Sequence, residues 1–335
     1  MNALRNFFRI YLLIGLSLVF LFSGCKNDTK EPEFIIRASL LVGEDHTWFK
    51  AFQYFEKIVK ERSNGRIEVR SYHSEQLAKE IEAIRMIQAE VIDMTTTSSL
   101  LSNWIEIMTF CEMPFLLESP DEVESLINGP LGERINKEML EKTGLRPLGY
   151  FQAGGRNLTS NRPIKHPDEL KGLILRVPNV PSFVTAWEAL GAKTTPMAFS
   201  EVFTSLQQGT IDAQENPLAL IKTTGFYEVQ KYVNLTNHVI SWTYPVIGEK
   251  QFQKLPKDLQ EIFLQAAKDM QAYERSLFLE NERKIKEELE NLGMTFINVD
   301  NRAFIDKCGL AIYNTLSDEM KEIYKSIKPI DLSNE

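Results

Sequence analysis

The most restrictive feature of the sequence is a short apolar run, Ile174–Val177, that contains one charged residue, Arg176. Aliphatic neighbours on both sides of the arginine predict a buried strand. Pro178 follows and cannot donate a hydrogen bond to a sheet, so the strand should end there. Arg176 then lies near the carboxyl end of a strand, the edge at which open α/β sheets bind ligands. Its buried guanidinium needs an anionic partner, which is either an internal carboxylate or that of a ligand.

Strands and helices alternate in the first part of the chain. Residues 34–41 and 66–72 have the composition of strands, and between them Phe52, Phe55 and Val59 recur at helical spacing. A second helical stripe follows at residues 81–87. The order strand, helix, strand, helix predicts a parallel α/β sheet.

One long helical pattern covers residues 256–292, with Pro256 near its first turn and Gly293 after its end. At 1.5 Å per residue, a single helix of this length would span roughly 50 Å. That exceeds one small domain, so we expect the helix to run along two domains. Two helices with a break between them are the alternative.

Composition excludes several classes of protein. The chain has 335 residues and a formal net charge of −8, so we expect no nucleic-acid partner. The four histidines show no metal-ligand spacing, and we expect neither a metal ion nor a cofactor. After Cys25 only Cys111 and Cys308 remain; they form one disulfide or stay as two thiols, and their apolar neighbours favour buried thiols.

The amino-terminal residues 1–25 are predicted to be a lipoprotein signal peptide. Arg5 and Arg9 precede an apolar run at residues 10–22, and a run of roughly 13 residues suits a signal-peptide core better than a membrane span. Residues 21–25 resemble a bacterial lipobox, in which Cys25 would be lipidated. Ordinary cleavage to a soluble periplasmic protein is the alternative. Residues 26–33 are polar and predict a tether.

Several motifs, taken in order, carry a family resemblance. The whole mature chain resembles the DctP-type solute-binding subunit of a tripartite ATP-independent periplasmic (TRAP) transporter. The matching segments are residues 64–69, 75–77, 156–164, 168–178, 196–202 and 211–217. Ala78 and Ala213 stand where glycine is common in the family, and neither departure changes a charge.

The resemblance implies a two-domain α/β clamshell like that of periplasmic binding proteins, with hinge strands and a long C-terminal spine helix. We expect domain I to comprise residues 34–153 with about 242–281, and domain II residues 154–241 with about 282–335. Gly154 and Gly155 are the predicted hinge. The implied protein is a periplasmic monomer, anchored in a bacterial membrane through Cys25, that delivers its ligand to the TRAP permease subunits.

Four residues are the main candidates for ligand contact. In the resembled family the arginine corresponding to Arg176 pairs with the substrate carboxylate, and an arginine at the position of Arg156 is a second cation for the ligand. Arg156 could instead pair with a carboxylate across the cleft. Asn216 carries an amide that suits a ligand with a carboxylate and hydroxyls. Phe199 could stack on the ligand or cap the next helix.

Five further residues are weaker candidates. Glu80 could bond a ligand hydroxyl, as in sugar-acid binders of the family, or simply complement a helix dipole. Trp48 heads a helix stripe and could belong to the core, and Gln214 precedes Glu215, which is expected to brace an arginine. His46 and Trp242 are placed at the edge of the predicted cleft, where packing is an equal alternative for Trp242.

These residues predict a non-catalytic receptor for a carboxylate-bearing small molecule, either a sugar acid or a C4-dicarboxylate. A ligand-sensing subunit of a membrane signalling partner is one alternative. A periplasmic sugar-acid enzyme is another, but the chain has no Gly-x-Ser-x-Gly, His-Glu-x-x-His or Walker motif.

Overall fold

The computed structural model describes residues 31–328. The signal peptide, Cys25 and most of the tether predicted for residues 26–33 lie outside the described residues. The first elements alternate as the sequence predicts. They are β1 (Phe34–Ser39), α1 (Thr47–Arg62), β2 (Ile67–Tyr72), α2 (Glu80–Gln88) and β3 (Met94–Thr97). β1 lies between β2 and β3 and is parallel to both.

The chain then passes through two 3₁₀ segments, Ser99–Asn103 and Glu106–Glu112, into the remaining elements. These are α3 (Pro120–Ile127), α4 (Pro130–Thr143), β4 (Leu145–Pro147), β5 (Phe151–Ser160), β6 (Ile174–Val177), α5 (Pro181–Leu190), β7 (Lys193–Pro196), α6 (Val202–Gln207), β8 (Ala213–Pro217), α7 (Leu218–Thr223), β9 (Tyr232–Gly248), α8 (Glu249–Gln253), α9 (Lys257–Glu282), α10 (Ile285–Asn291), β10 (Thr295–Ile297), α11 (Asn301–Asn314) and α12 (Asp318–Ile327).

Ten strands form one mixed sheet in the order β2-β1-β3-β9-β5-β8-β6-β7, with β4 and β10 also paired to β9. The strand β9 has 17 residues. Its carboxyl half pairs with β3 and β4, and its amino half with β5 and β10. Because β9 and β5 belong to both halves of the sheet, they connect the two α/β domains of the clamshell.

Gly154 lies where β5 is irregular, since the pairing with β9 shifts register between Gln152 and Gly154. Its φ angle is +82°, and the Oε1 atom of Glu282 in α9 lies 3.1 Å from the position a Cβ would take. A side chain would therefore meet both backbone strain and a close neighbour. The geometry explains the glycine at the predicted hinge; movement about it stays a prediction.

The long C-terminal helix is present but shorter than expected. α9 ends at Glu282 and has 26 residues, which corresponds to about 39 Å. The predicted single helix over residues 256–292 is wrong, and the alternative of two helices holds. The two helices pack into different cores: α9 buries Phe263 and Met270 with α1, whereas α10 buries Ile285 and Leu289 with residues of α6. The helix has to break between α9 and α10 so that the apolar face of each helix can pack into its own core.

The last two helices contact both halves of the chain. α11 packs against α5. On α12, Glu319 pairs with Arg134 of α4 at 2.7 Å, and Ser317, just before α12, donates its backbone N–H to Glu106 at 2.9 Å. α12 thus lies against residues assigned to domain I, and the assignment of about residues 282–335 to domain II stays a prediction.

Cys111 and Cys308 are buried free thiols, as the sequence favoured. Burial raises the pKa of Cys308 to about 12. Within residues 31–328 no helix combines the length and apolar character needed to cross a bilayer. The same residues contain no cluster of three or more histidine, cysteine, aspartate or glutamate side chains suited to a metal ion.

Candidate ligand-binding site

A polar cavity of about 80 Å³ lies where β6, β8 and β9 meet the loops after β1 and β3. A second chamber of about 350 Å³ adjoins it, and the two share Glu80, Leu100, Arg176, Pro178 and Phe199 as common wall. Apolar side chains such as Leu41, Val180 and Leu220 complete the first cavity. Mostly apolar walls with a few convergent polar groups are typical of small-molecule sites.

Arg176 is the central charge of this cavity. It is 3 % exposed, and its Nε and Nη2 atoms donate to the backbone oxygen of Met197 at 3.2 and 2.7 Å. No carboxylate among residues 31–328 forms an ion pair with it. Burial lowers the pKa of Arg176 to about 10, so the guanidinium is still a cation at neutral pH. Of the two partners that the sequence allowed, the internal one is absent from the described chain.

Arg156 has the opposite surroundings. Its Nε and Nη2 atoms donate to the two carboxylate oxygens of Glu215 at 2.6 and 2.8 Å, and its Nη1 atom lies 3.3 Å from Glu112. Burial opposes ionisation of Glu215, but Arg156 outweighs it and lowers the pKa of that carboxyl to about 2. Arg156 lines the cavity, yet it is not the free second cation that was predicted, because two internal carboxylates already neutralise it. Glu215 braces an arginine as expected.

Glu112 is a cavity residue that the sequence reasoning missed. Its Oε2 atom accepts hydrogen bonds from Ser98 at 2.7 Å and Ser99 at 2.5 Å. Its Oε1 atom accepts from Ser241 and Arg156. The sequence did carry a signal for this residue, because Glu112 is a carboxylate between Cys111 and Met113 in an apolar segment. A carboxylate buried in such a segment needs several hydrogen-bond donors around it.

Asn216 and Gln214 lie on the same strand but differ in whether they reach the cavity. Asn216 is in the cavity wall, whereas Gln214 is not. Gln214 is fully buried behind it and donates to the hydroxyl of Thr159 at 2.9 Å. The structure therefore places Gln214 behind the cavity wall, where its amide is bonded to Thr159 and Asn216, and direct ligand contact by Gln214 stays a prediction.

Glu80 lines both chambers. Its Oε1 atom accepts a hydrogen bond from Thr97 at 3.0 Å. Burial raises the pKa of Glu80 to about 8, and the Thr97 hydroxyl opposes the shift only in part. At neutral pH the side chain is therefore mostly a neutral acid that both donates and accepts hydrogen bonds.

Three aromatic candidates lie in the cavity wall and one imidazole does not. Trp48, Phe199 and Trp242 line the cavity, and Trp48 also belongs to the core while its Nε1 atom donates to Gln152 O at 3.1 Å. His46 caps α1 by accepting from Trp48 N at 3.2 Å and borders a different groove. Burial, with Lys50 nearby, lowers the pKa of His46 to about 3. Its predicted role in the cleft is corrected to that of a neutral helix cap.

Two α/β domains that share their connecting strands, with a buried and unpaired cation between them, define the class of periplasmic solute-binding proteins. Residues 38–317 match the model of the family described as bacterial extracellular solute-binding protein, family 7, and the chain belongs to this family. It is a TRAP-type solute-binding protein, as the motifs in the sequence indicated.

The relatives include proteins with known ligands. A solute-binding protein of Roseobacter denitrificans is 43 % identical over 295 residues, which is 88 % of this chain and 91 % of the relative. Its crystal structure, described with bound L-galactonate, covers 89 % of this chain and 99 % of its own, with a TM-score of 0.87. The 2,3-diketo-L-gulonate-binding periplasmic protein of Escherichia coli is 30 % identical, covering 84 % of this chain and 86 % of that protein.

A TRAP solute-binding protein of Haemophilus influenzae was solved with bound L-gulonate. It is 34 % identical, has a TM-score of 0.82 and covers 88 % of this chain and 98 % of its own. All three relatives are similar to this chain across both domains rather than over one of them.

Proposed function

We propose that the protein binds a sugar acid with one carboxylate and several hydroxyls, and that Arg176 pairs with this carboxylate. The observation that carries the proposal is the buried guanidinium of Arg176, which has no carboxylate partner within the described residues 31–328. Leaving such a charge unpaired is costly, and a planar carboxylate satisfies its free N–H groups in two parallel hydrogen bonds. The relatives described with L-galactonate, L-gulonate and 2,3-diketo-L-gulonate support this class of ligand.

The charges in the cavity favour one carboxylate over two. Arg156 is already neutralised by Glu215 and Glu112. Among the described residues that line the 80 Å³ cavity, Arg176 is therefore the one cation left for a ligand. A second carboxylate in this cavity would find no free cation and would meet the Glu112 carboxylate. Hydroxyl groups fit the same surroundings, because acids and amides exchange hydrogen bonds with them. We therefore favour sugar acids over C4-dicarboxylates.

Arg176→Ala tests the proposal. The variant should lose about 2–5 kcal/mol of binding free energy for L-galactonate or L-gulonate, mainly because the ligand carboxylate would be left without its partner. Isothermal titration calorimetry against these acids, D-galacturonate and succinate measures the loss. Arg162→Ala, at an exposed arginine that bonds a backbone oxygen, is the matched control and should bind as the wild type does. An Arg176→Ala variant that binds within twofold of wild type would contradict the pairing.

The role is one of binding without chemistry. Ser98, Ser99 and Ser241 each donate to Glu112, whereas His238 is paired with Glu215 at 2.8 Å. The three hydroxyls and the Arg156 guanidinium share the single carboxylate of Glu112, an arrangement that satisfies a buried acid rather than one that pairs a nucleophile with its own oriented base. Incubation of candidate sugar acids with the protein should therefore return them unchanged by mass spectrometry.

The cellular setting belongs to the same proposal. The protein would act as a monomer tethered to a membrane through a lipid on Cys25, and would deliver its ligand to TRAP permease subunits. Replacing Cys25 by serine should move the protein from the membrane fraction to the soluble periplasmic fraction. Light scattering of the purified protein should give the mass of one chain. An unchanged distribution of the Cys25→Ser variant would refute the anchor.

A further inference from the structure

Behind Asn216, a chain of buried side-chain hydrogen bonds runs through Gln214, Thr159 and Gln230. We propose that these three are positioning residues that fix the orientation of the Asn216 amide, so that it presents a donor, and not an acceptor, to the ligand carboxylate. The proposal rests on the proposed function and adds to it the group that allows the site to distinguish a carboxylate from an uncharged analogue.

The contacts form one continuous chain. Arg156 Nη2 donates to Asn216 Oδ1 at 3.2 Å, and Asn216 Nδ2 donates to Gln214 Oε1 at 2.6 Å. Gln214 Nε2 then donates to Thr159 Oγ1 at 2.9 Å. The Thr159 hydroxyl donates to Gln230 Oε1 at 3.1 Å. All five residues are buried, so water cannot replace these bonds.

The two ends of the chain force the same direction on every bond. At one end, the guanidinium of Arg156 can only donate, so the atom of Asn216 that faces it has to be the oxygen. At the other end, Gln230 Nε2 lies 3.3 and 3.2 Å from the backbone oxygens of Asp212 and Val229, which can only accept. Flipping Asn216 would place donor against donor at Arg156 and acceptor against acceptor at Gln214. Flipping Gln214 or Gln230 would create one such mismatch, at Asn216 or at the backbone oxygens, since the Thr159 hydroxyl can either donate or accept. The polarity is therefore fixed by chemistry that does not depend on how amide atoms are assigned.

The sheet register explains why these residues meet. β8 lies between β5 and β6, with Gln214 opposite Thr159 on one side and opposite Arg176 on the other. Alternation along β8 puts Gln214 and Asn216 on the same face. The arginine that would clamp the ligand and the chain that orients the asparagine are thus held by adjacent strands.

The consequence concerns the ligand. An amide nitrogen carries two hydrogens, and Gln214 takes one from Asn216 Nδ2, which leaves the other for the cavity. Beside the donors of Arg176, this adds one more donor, and a carboxylate supplies two acceptors. A carboxamide would direct its own NH₂ group at a donor. When this hydrogen-bond chain is broken, the bond from Arg156 at 3.2 Å is the one contact of the chain that still orients the Asn216 amide, so turning its oxygen toward such a group costs less.

Thr159→Val and Thr159→Ser form a matched pair that tests the proposal, with the affinity for L-galactonate and for L-galactonamide as the measurements. Valine keeps the shape and removes the hydroxyl, so the ratio of acid to amide affinity should fall about tenfold, with the amide bound at least as well as by wild type. Serine keeps the hydroxyl, so its ratio should stay within twofold of wild type. Melting temperatures identify any variant that does not fold.

A second variant tests the same chain of hydrogen bonds at Gln214. Gln214→Met is similar in shape and removes the acceptor for Asn216, so its ratio should fall as in Thr159→Val. The double variant should lose no more than Gln214→Met alone, because both changes act through Asn216. Equal losses for valine and serine, an unchanged ratio in Thr159→Val, or additive losses in the double variant would overturn the proposal.

The affinities of the wild-type protein for acids and for their carboxamides distinguish a failure of this proposal from a failure of the proposed function. If none of L-galactonate, L-gulonate and D-galacturonate binds more tightly than its carboxamide, the proposed function is refuted, and the positioning role with it. If wild type prefers the acid and Thr159→Val keeps the whole preference, the positioning role alone is refuted.

Discussion

At the scale of single residues, the two cavity arginines show how partners decide function. Arg156 is held by Glu215 and Glu112 and contributes structure to the wall. Arg176 donates to a backbone oxygen and forms no ion pair in the part of the chain that the structure describes. An anionic ligand that neutralises it gains the interaction without having to displace an internal carboxylate, and this is the physical basis of the expected affinity.

Glu80 gives the site a predicted dependence on pH. Its pKa of about 8 means that the side chain is neutral near pH 7 and becomes an anion above pH 8. The new charge would repel the ligand carboxylate across the cavity. The Kd for L-galactonate should therefore be flat between pH 6 and 7 and should rise above pH 8, by at most about tenfold per pH unit for one linked proton.

Calorimetry of the Glu80→Gln variant checks this dependence. The amide cannot lose a proton, so the Kd should stay constant through pH 9. Glu82→Gln, at an exposed position of the same helix, should keep the rise. A rise of equal size in Glu80→Gln would assign the effect to another group.

At the scale of elements, α9 follows the connecting strand β5 closely. Gln271 accepts from Tyr150 N at 3.1 Å, and Glu274 accepts from Gln152 N at 3.4 Å and from Thr47 at 3.1 Å. One helix therefore holds β5 and the start of α1 together. Glu274 has no cationic partner among the described residues, and burial raises its pKa to about 8.

Glu274→Gln should stabilise the protein at neutral and alkaline pH. Between pH 4.5 and 8 the unfolded chain has lost a proton that the folded protein keeps, so the wild type loses stability as the pH rises through this range. Glutamine removes this penalty, which we expect to reach about 4 kcal/mol near pH 8 and to vanish below pH 4.5.

Thermal unfolding at pH 4, 6 and 8 measures the effect. Glu261→Gln, at an exposed position of the same helix, should leave the melting temperature unchanged at every pH. A Glu274→Gln variant that is less stable than wild type at pH 8 would show that the ionised carboxylate is stabilising.

At the scale of the whole molecule, a few polar contacts cross the cleft near the second chamber. Lys79 pairs with Glu201 at 2.5 Å, Ser200 N donates to Glu75 at 3.3 Å, and Asn103 donates to the backbone oxygen of Asn179 at 3.0 Å. Each joins a residue before the connecting strand β5 to one after it. Opening of the cleft, which stays a prediction, would separate these residues, so the contacts would favour closure.

Lys79→Ala should therefore shift the protein toward an open cleft. Both side chains of the Lys79–Glu201 pair are partly exposed, and exposed ion pairs are weak and screened by salt. We expect the Kd for L-galactonate to rise by only a few-fold at low salt, with little difference from wild type at high salt.

Titrations at two salt concentrations, with small-angle X-ray scattering of the ligand-free protein, check the shift. Lys137→Ala removes an exposed pair with Glu141 within α4 and should change neither measurement. A lower Kd in Lys79→Ala would mean that the contact opposes closure.

The sequence by itself determined the local structure and its position in the fold. Alternating strand and helix patterns predicted β1 to β3 with α1 and α2, and Pro178 placed Arg176 at the end of β6. These features depend on neighbours within a few residues, so spacing reveals them. The motifs between residues 156 and 217 also predicted the family correctly.

Only the tertiary structure decided which charges meet. Arg156 lies 59 positions from Glu215 and 44 from Glu112, and nothing in their spacing indicates that they form one buried network. The register of β5 and β8 brings Arg156 beside Glu215, and the 3₁₀ segment Glu106–Glu112 adds Glu112 to them. Within residues 31–328 the same fold leaves Arg176 without a carboxylate partner. Pairing across strands depends on how the whole chain folds back on itself, because contact there is set by sheet order and not by distance along the sequence.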